Sequence, residues 1–98
     1  MTDHQIEYIR KREGNVVPFH PEKVTEAVFK AARAAGEGDR ELAEKISAQV
    51  VSILSITCRN GRVPTVEEVQ DLVEKMLMEG GHAAIAKGYI LYLSLIHI

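Results

Sequence analysis

Apolar residues recur along this chain with two different periods, and the change from one to the other marks its organisation. In the first stretch the period is two. "IEYIRKR" (residues 6–12) and "VVPF" (residues 16–19) read as short strands around the turn Glu13-Gly14-Asn15, where glycine and asparagine tolerate the positive φ of a tight hairpin. Alternation places Ile9 and Lys11 on one face of the first strand, with Tyr8, Arg10 and Arg12 on the other. Pro18 lacks a donor N–H, so the second strand is an edge or is ending there. A hairpin this small is marginal alone and must pack on something.

From Pro21 onward the period becomes helical. Pro21 suits a first helical position, with His20 a poor cap before it. Val24, Ala27, Val28, Ala31 and Ala35 then form one stripe, which Gly36 ends. Asp39 is placed to cap a second, strongly amphipathic helix carrying Leu42, Ala43, Ile46, Val50, Ile53 and Leu54. Thr65-Val66-Glu67-Glu68 is a capping box opening a third, whose inner face is Val66, Val69, Val73, Met76 and Leu77. Gly80-Gly81 breaks it. A last helix is expected over residues 82–92, with Ala86, Tyr89 and Ile90 inward. The pattern predicts an α+β fold, mainly α: a short N-terminal β-hairpin capping a four-helix bundle, one domain over residues 1–92.

The ending departs from this pattern. Leu93-Ser94-Leu95-Ile96-His97-Ile98 gives its helix neither a cap nor a basic last turn. These residues can be encoded by CTG TCT CTT ATA CAC ATC, a string similar to the end of a common transposase sequencing adapter. Native sequence is therefore expected to stop near Tyr92, with residues 93–98 a non-native tail.

Composition narrows the function. Three Tyr, two Phe and no Trp leave the core to Val, Ile, Leu and Ala. A formal net charge of −2 opposes broad binding to nucleic acid, so any basic site is local. The single cysteine, Cys58, excludes an internal disulfide and reads as a buried, idle thiol in a reducing compartment. No secretory leader is evident, and the most apolar stretch, residues 89–98, is about half a membrane span. A cytoplasmic protein without membrane contact is expected. His4 and His82 lack metal-ligand companions, and Glu67, Glu68, Asp71 and Glu74 read as a cap and a solvated face. Neither a metal site nor catalysis is expected of these residues.

Arg10, Lys11, Arg12 and Lys23 gather at the junction of hairpin and first helix. They can be a solvated face, a nucleic-acid contact, or a site for a small anion such as a triphosphate. The last gains from the positive end of a helix dipole and from Ile9, which shares a strand face with Lys11 and can support a base. No GxxxxGKS or GxGxxG loop is present.

"IRKREGNVVPFHPEKVTEAVFKAA", followed by "VPTVEEVQDLVEKMLMEGGHAAIAKGYILY", strongly resembles the ATP-cone domain, the allosteric nucleotide-binding module at the N-terminus of many ribonucleotide reductases. The resemblance covers residues 6 to about 92 and rests on K-R-[DE]-G, F-x-P-E-K-[IV] and V-E-E-[IV]-Q-D in order. It implies that Lys11, Arg12 and Lys23 hold phosphate, Ile9 lines the base pocket, Gly14 makes the turn, and Thr65 or its neighbourhood offers a hydroxyl near the base. A pure helix cap is the competing role for Thr65. His20 stands where the family usually has Asp or Asn, which can alter a contact to the nucleotide. After "YILY" the family normally continues with basic residues, R-x-x-R, which the tail here replaces.

What the resemblance implies is a non-catalytic regulatory domain that binds ATP or dATP, with Mg²⁺. ATP leaves the parent reductase active and dATP switches it off, through the catalytic domain and a nucleotide-dependent homo-oligomer. The style of the sequence is similar to the anaerobic glycyl-radical or adenosylcobalamin-dependent reductases. A related repressor of reductase genes carries a zinc ribbon, which one cysteine and a start almost at the hairpin do not accommodate. The alternatives are a fragment of such a repressor, or a helical interaction module that binds no nucleotide.

Overall fold

The computed structural model describes residues 6–96. Two strands, Tyr8–Arg10 (β1) and Val16–Pro18 (β2), pair antiparallel with Ile9 opposite Val17. Each is shorter than the alternation implies. β2 ends at Pro18, and the loop between the strands closes through Lys11 N–H to Asn15 O at 2.7 Å and Gly14 N–H to Lys11 O at 2.8 Å. Gly14 has φ 101°, a conformation that resists a side chain. Ile9 and Val17 face inward and half-buried, while Tyr8, Arg10 and Val16 face out.

Four helices follow: Pro21–Ala35 (α1), Arg40–Thr57 (α2), Val66–Glu79 (α3) and Ala83–Ile96 (α4). Short connections make chain neighbours into spatial neighbours, so α2 packs on α1 and α3, and α3 on α4; α1 packing on α4 closes the bundle. The signals that start and stop these helices act as the sequence implies. Gly36 closes α1 in the left-handed region (φ 74°), with the N–H of Glu37 reaching back to Ala32 O. Asp39 accepts from Leu42 N–H at 3.0 Å, and His20 makes no side-chain cap. The core draws on all four helices, with Val28, Val50, Leu54, Val73, Leu77 and Ile85 almost wholly enclosed. Cys58 is buried beside them.

Some inward assignments differ from the expected ones. Ala32 is buried where Ala35 was expected, and Ile85 where Ile90 was, leaving Ile90 36% exposed. On α4 the buried set Ile85, Ala86 and Tyr89 has spacings of three and four, and Ile90 falls just past its edge. α4 also continues beyond Tyr92 to Ile96, since no proline or glycine interrupts its hydrogen-bond ladder there. No helix among the described residues is long and apolar enough to cross a membrane.

The hairpin attaches to the bundle where α1 and α3 begin. Arg10 N–H donates to Pro64 O at 2.9 Å, so β1 runs beside the strap that leads into α3. That strap is fixed by the predicted capping box: Glu68 N–H donates to Thr65 Oγ1 at 3.1 Å, and Thr65 N–H to Glu68 Oε1 at 2.8 Å. Arg62 Nη1 reaches both Glu68 oxygens at 2.9 Å.

The Thr65 N–H, against an opposing penalty from partial burial, and then Arg62 hold the Glu68 carboxyl below its ordinary range. A carboxyl depressed in the folded state stabilises above its unfolded pKa, and that contribution fades as pH falls through the folded value. Melting curves across pH are therefore expected to show wild type above Glu68→Gln near neutrality. The gap should close from about pH 5 downward. A gap that does not change with pH would contradict this role for Glu68.

Candidate functional site

Where the hairpin lies over the bundle it leaves a cleft of about 530 Å³. Its walls come from the hairpin (Ile9, Val17 and Pro18 on its strands, Lys11 just past β1), α1 (Glu22, Lys23, Val24, Glu26, Ala27, Lys30), the first turns of α3 (Val66, Val69, Gln70) and the end of α4 (Tyr89, Tyr92, Leu93). Phe19 and His20, between β2 and α1, complete it. Ile9, inward on β1, and Lys11, exposed just past the end of that strand, both border it. The helical period brings Lys23 and Lys30, seven residues apart, to one side of α1. The result is a mainly apolar slot with three lysines from two elements on its border.

The cations differ in how free they are. Lys30 Nζ lies 3.5 Å from Tyr92 Oη and 5.6 Å from the centre of its ring. Of the two carboxylates on the border, Glu26 is held by Arg40 at 2.7 Å, while Glu22 lies 3.6 Å from His20 Nδ1. Lys11 and Val66 also border an adjoining cavity of about 390 Å³, shared with Arg12 and Glu13. Val66 is the first residue of α3, so unpaired N–H groups and the positive end of a helix dipole lie beside both spaces.

Ile9, Lys11, His20 and Lys23, singled out in the sequence, thus meet around one cleft. Arg12 does not border it: it faces the adjoining cavity and pairs with Glu67, Nε to Oε2 at 3.0 Å. Gly14 stays in the turn, with nothing within 4 Å of where a side chain would begin. Thr65 borders neither space, and its hydroxyl is taken by the Glu68 cap. Lys30, Gln70, Tyr89, Tyr92 and Leu93 are wall residues that the sequence reading did not select. The seven-residue step from Lys23 signals Lys30. Nothing local signals Gln70 or Tyr89, which the packing of α3 and α4 brings in.

Among the described residues, no three of His, Cys, Asp and Glu come together as a metal site. The arrangement suits a ligand with an apolar, planar part and an anionic part.

Comparison with known proteins bears on which ligand. A family model described as the ATP cone domain matches residues 7–96. A vitamin B12-dependent ribonucleoside-diphosphate reductase of Thermoplasma acidophilum is 38% identical over 92 residues, covering 89% of this chain and 12% of that protein. The alpha subunit of a ribonucleoside-diphosphate reductase of Chlamydia trachomatis is 37% identical, over 84% of this chain and 9% of its own length. An anaerobic ribonucleoside-triphosphate reductase of Salmonella typhimurium is 35% identical, over 94% of this chain and 12% of its own. The chain therefore spans about a tenth of the length of the relatives it matches.

Proposed function

The chain belongs to the ATP-cone family, and from that premise we propose that it is an allosteric domain of a ribonucleotide reductase which binds ATP or dATP in the cleft beneath its hairpin. The observation that carries this reading is the convergence of Lys11, Lys23 and Lys30 on one mainly apolar slot. Ile9, Val17, Val66 and Val69 supply apolar surface for a base. The lysines and the start of α3 supply positive charge for the phosphates, with Mg²⁺ bound to the nucleotide sharing that role.

Arg12 joins the phosphates by leaving Glu67. Both side chains are well exposed (67% and 45%), and such a pair is worth about 0–1 kcal/mol, so a triphosphate outcompetes it readily. ATP and dATP carry the same triphosphate, so these cations supply affinity and do not discriminate. Discrimination comes from the response to the ribose 2′-OH, passed to the catalytic domain and to the association of subunits. A coupling of about 1–3 kcal/mol is typical for such control.

Calorimetric titration with ATP and dATP plus Mg²⁺ tests the reading. Saturable binding of both is expected; a folded chain that binds neither would overturn it. Leu93 lies on the cleft wall at the first position where the family pattern has arginine. Leu93→Arg is therefore expected to tighten ATP binding about 10-fold, the gain of one charged hydrogen bond. An unchanged dissociation constant would count against a phosphate path along α4.

A further inference from the structure

Tyr89 is the most enclosed polar side chain of the cleft. It is 3% exposed, yet it borders the open space. Its hydroxyl makes no hydrogen bond among the described residues and is not sealed off from solvent, on a residue that borders the cleft. Burial pushes its ionisation upward, so the group stays protonated and able to donate. An open phenol among apolar walls is costly to the empty domain unless water or a ligand meets it, and phenylalanine would fill the same volume without that cost. The charged groups lie elsewhere: Lys11, Lys23 and Lys30 are all exposed at the border.

We propose that the Tyr89 hydroxyl is a recognition group for the nucleoside part of the ligand, making its hydrogen bond only when the cleft is filled. This rests on the nucleotide reading above and deepens it. The lysines hold any polyphosphate; Tyr89 adds affinity for the sugar and base attached to it. The phenol is neutral, so its contribution is insensitive to salt, whereas that of the lysines is screened.

Tyr89→Phe in the 98-residue chain, titrated with ATP at low and at high salt, tests this. The expected loss of affinity is about 10-fold and equal at both salt concentrations, with a melting temperature unchanged or raised. Affinity within twofold of wild type would overturn the assignment while leaving the nucleotide reading intact. A loss that fades at high salt would overturn it in favour of a phosphate contact. A lowered melting temperature accompanying the loss would overturn it in favour of a packing role. Wild type that binds no ATP would remove both proposals.

Discussion

Replacing Lys11 and Lys23 together by alanine is expected to weaken ATP binding by roughly 10²- to 10⁴-fold while leaving the melting temperature unchanged. Each lysine is exposed, on the hairpin and in the first turn of α1, so neither supports the core. A hydrogen bond to a charged group is worth about 1.5–3 kcal/mol, and two losses of that size give the stated range. Lys23 also sits at the positive end of α1, where a cation is locally unfavourable, so its removal relieves the helix slightly. Titration calorimetry reads the affinity and scanning calorimetry the stability. Wild-type affinity in the double variant would place the phosphates elsewhere.

The largest effect on stability is expected from Leu77→Ala. Leu77 lies on the inner face of α3 with no exposed surface, in the core that also encloses Leu54 and Ile85. Truncation removes buried apolar atoms and leaves a cavity, at a cost of about 2–5 kcal/mol. A domain of this size holds roughly 5–15 kcal/mol in total, and each kcal/mol shifts its melting temperature by about 4–8 °C. Scanning calorimetry should therefore show a fall of roughly 10–30 °C. Because Leu77 does not border the cleft, saturating ATP should recover part of that loss by mass action. A fall of only a few degrees would mean that α3 is not held as described.

Much of this fold is legible in the sequence because its punctuation is local. Gly36, Asp39 and the Thr65–Glu68 box act within a few residues of themselves, and each sets its helix boundary where the pattern places it. Inner faces are less determined: Ile85 and Ile90 are equally apolar, and only the positions of α1 and α3 against α4 select Ile85. The docking of the hairpin is not legible at all, since Arg10 N–H to Pro64 O is a backbone contact that no side chain announces. The candidate site divides in the same way. Ile9 and Lys11, which the sequence pattern pairs, both border the cleft, and Arg12 lies outside it. Gln70 and Tyr89 arrive from distant helices. Thr65 serves two legible roles in principle, and the cap takes its hydroxyl.

The most direct test of the central claim is a map of amide shifts on titrating the isotope-labelled chain with ATP and Mg²⁺. The account predicts that the largest changes fall on Ile9, Lys11, Val17, Lys23, Val66, Gln70 and Tyr89, which surround the cleft. Leu42, Gln49 and Met76, around a separate hollow between α2 and α3, should stay still. Shifts confined to that second group, or none in a folded chain, would contradict it.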